Sequence, residues 1–299
     1  MLLNPHSRAL AQIHFCVLLW GFTAILGKII TLGALPLVWW RMTIVTLVLL
    51  LVPAFWRGIG GLSVRRIATF AAIGVLVALH WLTFYGSIKL SNASVAATCM
   101  ALAPVVTALV EPLLAGSRFD LRELGFGLAV IPGVVLVAGG TPAGMRSGIA
   151  VGFVSVLFVS VFSSLNKRFV ERATPLAVTG LEMGAGAVFL GLLGSLLSGD
   201  AIFEFPAAVD LGFLLVLAIG CTLLPFALWL VTLRQLSAFT TALAVNMEPV
   251  YAILLAIVLL GEQRELGGMF YLGVGIIFAV VFLHPVLTRR HGSLAAARS

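Results

Sequence analysis

The chain has 299 residues and a mass of 31.6 kDa, with 61% hydrophobic residues, 10% charged residues and a mean hydropathy of +1.17. Soluble globular chains carry about 25% charged residues, so this composition excludes a water-soluble fold and predicts an all-α integral membrane protein. The basic residues behind the net charge of +7 lie between apolar runs. Lipid headgroups explain that placement, and we expect no nucleic-acid partner.

Cofactor and metal chemistry are not expected. The three cysteines lie far apart inside apolar runs, which predicts neither a disulfide framework nor a metal site. The segment from Gly21 to Lys28 has the wrong spacing for a phosphate-binding loop, and the chain carries no hydrolase motif. We therefore expect a protein that is not an enzyme.

Apolar runs between glycine, proline and charged clusters predict ten membrane-spanning helices. The runs are about 9–31, 35–55, 66–88, 92–115, 122–139, 147–168, 175–198, 211–233, 237–260 and 267–287. With ten spans, thirteen basic residues fall on one side of the membrane and four on the other. The positive-inside rule then places both termini in the cytoplasm. Three Lys against fifteen Arg are typical of a GC-rich bacterial genome, so we expect the bacterial inner membrane.

The two halves of the chain repeat the same residue order. Lys28 and Pro36 recur 139 residues later as Lys167 and Pro175. An offset of 145 residues superposes a second stretch, with the pairs Ala93 and Ala238, Ala97 and Ala242, Pro104 and Pro249, Leu109 and Leu254, and Gly116 and Gly261. Residues 1–145 and 146–299 would each hold five helices, and an odd number makes the second copy inverted. Such inverted repeats are typical of transporters that bind substrate near the membrane midplane.

Several motifs resemble those of the EamA-type transporters of the drug/metabolite transporter superfamily. They are Trp20-Gly21, Lys28, Pro36 with Arg41, Glu248-Pro249 and Gly261-Glu262. The resemblance covers the whole chain and implies two inverted five-helix halves. The length and the aromatic-rich helices are similar to the YddG-type bacterial exporters of aromatic and other amino acids. The first half departs from the pattern at Ala103-Pro104 and Gly116-Ser117, so the halves are not expected to have identical roles.

Charged groups inside the predicted spans are candidate substrate ligands, because they cost several kcal/mol in hydrocarbon. Glu248, near the middle of the ninth span, either binds a substrate ammonium, shuttles a proton or hydrogen-bonds the backbone freed by Pro249. Arg41 forks onto a substrate carboxylate, serves as a structural ion partner or snorkels to the outer interface. Glu182 is most simply a counter-ion to a cation such as Lys167.

Polar side chains at helical spacing predict faces that line an aqueous cavity. The candidates on these faces are His80, Thr222, Thr241 and Tyr251. His80 is either a proton relay or a hydrogen-bonded core residue. Part of each polar face is also consistent with close helix packing.

Aromatic side chains deep in the spans are candidate walls for an apolar or aromatic substrate. They are Trp20, Trp81, Tyr85 and Trp229, with core packing or lipid contact as the alternative for each. Pro104 and Pro249 occupy matched positions in the fourth and ninth spans and are expected to kink them at the binding site or at a gate.

The predicted function is export of small amphipathic metabolites, principally aromatic or other hydrophobic amino acids, by alternating access. A drug or nucleotide-sugar carrier is the alternative within transport, and an intramembrane enzyme or structural subunit is the alternative outside it. The expected partners are a small-molecule substrate and the lipid bilayer, with a monomer as the working unit and a dimer as a further possibility.

Overall fold

Every regular element in the part of the chain that the structure describes is helical. The computed structural model describes residues 5–115, 121–169, 173–225, 228, 244–245 and 247–296. Helices of the first half are α1 (Pro5–Ile29), α2 (Ala34–Leu50), α3 (Pro53–Ile59), α4 (Val64–Leu90), α5 (Ala93–Met100), α6 (Ala103–Ala115) and α7 (Leu121–Gly140). Helices of the second half are α8 (Arg146–Phe169), α9 (Pro175–Ser198), α10 (Ala208–Leu215), α11 (Glu248–Leu255) and α12 (Gly268–Ala296).

Two helices continue into wide π-helical turns. Val216–Leu223 extends α10 and Ala256–Leu260 extends α11. Single-turn 3-10 helices at Ala143–Met145 and Glu262–Arg264 and a longer one at Gly199–Phe203 join neighbouring helices. Most of the predicted spans therefore have a helical counterpart, although residues 229–243 lie outside the described part.

Five helical segments in the described residues are long and apolar enough to cross a membrane. They are Ser7–Ile29, Val64–Leu90, Ala93–Leu114, Ala143–Asn166 and Pro175–Leu197. The pair α2 and α3 together forms a sixth candidate, and four apolar helices are shorter: Leu128–Gly140, Ala208–Leu223, Glu248–Leu260 and Gly268–Leu283. The described residues thus form an all-helical membrane architecture, and the full count of ten spans stays a prediction.

The second predicted span, 35–55, is not one straight helix. α2 ends at Leu50, and α3 leaves it at an angle of 89° after a short break. Pro53 causes the break, because the ring of a proline restricts the residue before it to an extended backbone. Val52 has that backbone, with φ −93° and ψ 113°.

The fourth predicted span is also interrupted, at Ala101 and Leu102, and the interruption recurs in the second half. Leu102 N donates to Cys99 O at 3.0 Å, and Val106 N donates to Leu102 O at 3.1 Å. The same two bonds appear 145 residues later, from Met247 N to Ala244 O and from Tyr251 N to Met247 O, each at 3.0 Å. Pro104 and Pro249 lie two residues after the respective tight turns, so both prolines begin a helix here.

Helices of the two halves interlock. α4 packs against α8 and α9, α2 packs against α9, α7 packs against α12, and α1 packs against α11. The contact between α7 and α12 is close enough to require glycine at position 273. A Cβ atom on Gly273 of α12 would lie 2.6 Å from Gly133 O and 2.7 Å from Val137 N of α7. Small residues let membrane helices approach backbone to backbone, which replaces the hydrophobic driving force that lipid does not supply.

We expect Gly273→Ala to destabilise the α7–α12 pair by about 1–3 kcal/mol, because the added methyl group overpacks two backbones. Thermal unfolding of the protein in detergent measures the effect as a lower midpoint. Gly275→Ala on the same helix is the matched control, because a Cβ atom there meets nothing within 4 Å. Equal midpoints for the two variants would contradict this packing.

Candidate functional site

A cavity of about 670 Å³ lies among the helices of both halves. Its polar lining consists of Thr23, Arg41, His80, Ser163, Asn166, Thr179, Glu182, Thr222 and Glu248. Its aromatic and apolar lining includes Trp20, Val77, Trp81, Phe84, Met100, Phe162, Val178 and Met183. The volume lies within the range of about 300–1,000 Å³ that small-molecule sites have.

Arg41 of α2 is the basic group of this described lining and is only 4% exposed. Its Nη1 donates to Tyr85 Oη at 2.8 Å, and its Nε and Nη2 donate to Thr222 Oγ1 at 3.1 and 2.9 Å. Each terminal nitrogen carries a second N–H, and no described residue accepts from those two groups. A guanidinium held in this way presents free donors to an anionic ligand, with carboxylate as the best geometric match.

Thr222 holds Arg41 because the helix around it is widened. Its hydroxyl donates to Leu217 O, five residues earlier, at 2.8 Å, as the π-helical turn of Val216–Leu223 allows. The hydroxyl proton is thereby used within its own helix, and the oxygen lone pairs accept both Arg41 bonds. Wide turns of this kind are frequent at functional sites.

Trp81 and Trp20 line the cavity, and they are not equivalent. The Arg41 guanidinium lies 3.7 Å from the centroid of the Trp81 ring, a cation–π contact that stabilises the desolvated charge by up to about 2 kcal/mol. One face of Trp81 is therefore already covered by Arg41. Of the two tryptophans, Trp20 is the one without such a contact among the described residues.

Glu248 begins α11 and lines the same cavity. It interacts electrostatically with Arg41, but no hydrogen bond or ion pair joins its carboxylate to another described residue. The opposite charges of Glu248 and Arg41 thus share one cavity without neutralising each other by direct contact.

His80 lies at the cavity wall and joins α4 to α8. Its Nδ1 lies 3.1 Å from Ser155 O and 2.8 Å from Ser155 Oγ, while Ser155 Oγ donates to His80 O at 2.9 Å. A carbonyl only accepts, so these bonds assign the proton to Nδ1. The ring also lies against Phe84 and Phe162, and this packing is consistent with a structural role for His80.

The remaining predicted site residues have different locations. Tyr85 is fully buried behind Arg41. Tyr251 is not in the cavity lining, because its hydroxyl turns to His14 Nδ1 of α1 at 2.8 Å. Trp229 and Thr241 lie outside the described residues.

Sequence reasoning did not place Glu182 and Asn166 in the cavity, where the structure has them. Glu182 was interpreted as a counter-ion to Lys167, whose side chain is outside the described part. The available signal was spacing: Asn166 follows Ser163 by three residues and so extends the polar face of α8. Met100 and Phe162 gave no such signal, because apolar lining and apolar core look alike in sequence.

Polar contacts within the first half and between the two halves cluster at one end of the bundle. We call this group the lock; its residues are Lys28, Thr31, Lys89, Asn92, Asp210, Glu262 and Glu265. Asp210, 4% exposed, accepts from Thr31 N at 3.0 Å and from Thr31 Oγ1 at 2.5 Å. Lys28 Nζ donates to Ser91 O at 3.2 Å, and Lys89 Nζ donates to Ile30 O.

Glu262 is the most buried acid of the lock, with 1% exposure. Its carboxylate accepts from Ala93 N at 2.9 Å and from Ser94 N at 2.8 Å, the first two N–H groups of α5. Gly261, in the left-handed region with φ +70°, turns the chain so that Glu262 reaches this helix end. A carboxylate at a helix N-terminus satisfies unpaired N–H groups and complements the helix dipole.

The cavity extends toward the opposite end of the bundle. Its lining includes Asn166 near the end of α8 and Pro175 at the start of α9. Ser198, the other end of α9, leads to the segment that carries Asp210. The lock and the Pro175 side of the cavity are therefore at opposite ends of α9.

Comparisons with known proteins identify a family of membrane transporters. The sequence pattern of the EamA-like transporter family matches residues 8–139 and 146–284. The "Uncharacterized transporter YyaM" of Bacillus subtilis (strain 168) is 23% identical over 226 residues, which cover 73% of this chain and 74% of the relative. The "Probable terminal-alkyne amino-acid exporter" of Streptantibioticus cattleyicolor is 29% identical over 219 residues, which cover 68% and 70%.

A solved crystal structure described only as that of a protein shares the fold. It covers 95% of this chain and 98% of its own, with a TM-score of 0.61 and 20% sequence identity. The fold, the cavity and these relatives define a multi-pass membrane transporter rather than an enzyme. The chain belongs to the EamA-like transporter family.

We expect Glu262→Gln to lower the free energy of unfolding by about 1–2 kcal/mol, because an amide accepts more weakly and places an N–H group beside two others. The melting midpoint in detergent measures this loss. Glu204→Gln is the matched control, since Glu204 is exposed at the same end and its backbone carbonyl, not its carboxylate, accepts from Trp40. A midpoint for Glu262→Gln equal to that of the control would show that the capping contact contributes little.

Proposed function

We propose that this protein exports amino acids with apolar or aromatic side chains by alternating access between two inverted five-helix halves. The observation that carries the proposal is the cavity in which Arg41 presents unpaired N–H groups, Glu248 presents a carboxylate and Trp20 presents an aromatic wall. An α-amino acid has the complementary groups: a carboxylate, an ammonium and an apolar side chain. The amino-acid exporter among the relatives supports this class of substrate.

The recurrence of matched hydrogen bonds at Leu102 and Met247 supports the repeat. If the second half is inverted, a pseudo-two-fold axis in the membrane plane relates the two ends of the bundle. Either end can then open to the cavity in turn, which is what alternating access requires. The positive-inside rule places the termini in the cytoplasm, and the lock is then on the outer side. In this orientation the Pro175 side of the cavity faces the cytoplasm, so the proposed state is inward-open in a bacterial inner membrane.

Substrate binding follows from the charges in the cavity. The substrate carboxylate accepts from the free N–H groups of Arg41, and the ammonium donates to Glu248. Both charges are desolvated, so each pairing replaces lost hydration. With the substrate bound, each charge in the cavity has a partner of opposite charge. The substrate then crosses the apolar interior without an uncompensated charge.

Counterflow in proteoliposomes tests the function directly. Purified protein is reconstituted with unlabelled phenylalanine inside and labelled phenylalanine outside, with and without a pH gradient. We expect saturable uptake of label that other apolar amino acids inhibit. No exchange of any amino acid by correctly inserted protein would overturn the proposal, and dependence on the gradient would separate antiport from facilitated diffusion.

We expect Arg41→Lys to reduce phenylalanine counterflow about tenfold or more. The ammonium of lysine keeps the charge but loses the planar fork, and a charge-assisted hydrogen bond contributes about 1.5–3 kcal/mol. Unlabelled phenylalanine and phenylethylamine are then compared as inhibitors of this exchange. Because phenylethylamine lacks the carboxylate, we expect Arg41→Lys to weaken its inhibition less than it weakens inhibition by phenylalanine. Arg66→Lys, on the exposed start of α4, is the control; unchanged phenylalanine exchange by Arg41→Lys would exclude Arg41 as the carboxylate ligand.

A further inference from the structure

The cavity holds more acidic than basic groups. Its described lining contains two carboxylates, Glu182 and Glu248, and one guanidinium, Arg41. With both acids ionised and His80 neutral, the cavity carries one excess negative charge. An excess charge in a membrane interior is costly unless a counter-charge joins it. A ligand with one net positive charge would balance the excess negative charge of this lining.

Glu182, rather than Glu248, is the acid without a cationic neighbour among the described side chains. Arg41 interacts electrostatically with Glu248, whereas the neighbouring polar group of Glu182 is the Asn166 side chain. Glu182 is 6% exposed, and its Oε1 has no hydrogen-bond partner among the residues that the structure describes. Asn166 Oδ1 is likewise buried without a partner. The two side chains hydrogen-bond each other, and each keeps one unpaired acceptor oxygen at this part of the cavity wall.

The backbone around Glu182 is fixed by close helix packing. A Cβ atom on Gly74 of α4 would lie 2.3 Å from Glu182 O and 2.7 Å from Glu182 Cα. The two helices are in direct backbone contact there, so α9 has little freedom to turn the Glu182 side chain away from the cavity. The backbone position from which the Glu182 side chain enters the cavity is thus fixed before any ligand arrives.

The subsite lies between the Pro175 side of the cavity and its centre. Glu182 is seven residues from Pro175 along α9, roughly 10 Å at the rise of an α-helix. The group formed by Arg41, Thr222 and Glu248 is carried by other helices, namely α2, the α10 extension and α11. A ligand that reaches from that group toward Asn166 brings a second functional group to Glu182.

We propose that Glu182 and Asn166 form a second subsite that binds a primary ammonium group, so that the cavity accepts diamino acids with one net positive charge. This inference rests on the proposed amino-acid function. The α-carboxylate lies on Arg41, the α-ammonium lies on Glu248, and the side-chain ammonium donates to Glu182 Oε1 and Asn166 Oδ1. An ammonium carries three N–H donors, enough for both unpaired oxygens and a third acceptor.

Counterflow of lysine and norleucine tests the subsite, because the two amino acids differ chiefly in the side-chain ammonium. We expect the native protein to exchange both. Glu182→Gln is expected to reduce lysine exchange about tenfold or more and to leave norleucine exchange within about twofold, since only lysine loses a charge-assisted contact. Asn166→Ala is expected to have a smaller effect of the same kind. Ornithine and lysine, compared at equal concentration, report which side-chain length fits.

Glu204→Gln is the control for the chemical change, and the melting midpoint of each variant reports whether it folds. Exchange of norleucine but not lysine by the native protein would overturn the subsite and leave the proposed function intact. No exchange of any amino acid would overturn the proposed function itself. Equal loss of lysine and norleucine exchange in folded Glu182→Gln, with loss of dependence on a pH gradient, would instead make Glu182 a proton site.

Discussion

A guanidinium buried inside a membrane protein is the constraint that organises this site. Arg41 has 4% of its surface exposed, and a charge in that position is costly unless protein groups replace its hydration. Tyr85 and Thr222 accept its hydrogen bonds, and Trp81 lies against its flat face. Because Thr222 comes from the second half of the chain, solvation of one arginine also joins the two halves at the centre of the bundle.

Charged side chains at the lock end have different hydrogen-bond partners from Arg41 at the centre. At the lock end, charged side chains bond to backbone groups, as Glu262 does at the start of α5. The position that matches Gly261-Glu262 in the first half is Gly116-Ser117, where a neutral hydroxyl replaces the carboxylate. A serine cannot complement a helix dipole as a carboxylate does. The carboxylate contact of the lock therefore has no counterpart in the sequence of the first half.

Much of this arrangement was predictable, because polar residues are rare and costly within apolar membrane spans and so identify candidate site residues. Arg41, Thr222 and Glu248 were identified from the cost of polar groups in hydrocarbon and from helical spacing, and the structure brings all three to one cavity. Tyr251 was placed on the same face as Glu248, but three residues in a helix leave a rotation of roughly 60° between side chains. That rotation is enough to turn Tyr251 to His14.

The remaining features depend on contacts that a sequence pattern does not contain. The widened turn at Thr222 breaks the regular helical period, and only a regular period can be recognised in sequence. Pro53 was within a predicted span, yet its effect on Val52 ends the helix. Whether Glu182 had a partner depended on the side chains of other helices, so its unpaired oxygen was visible only after the helices were packed together.

Distances between spin labels, measured at both ends of the bundle, test the account most directly. One pair, at Leu90 and Val209, reports on the lock end, and a second pair, at Ser7 and Thr174, reports on the opposite end; all four positions are exposed. Electron–electron double resonance is recorded in lipid nanodiscs without substrate and with saturating phenylalanine. Alternating access predicts that the first distance lengthens as the second shortens. Distances that stay constant, or that change in the same direction at both ends, would contradict the account.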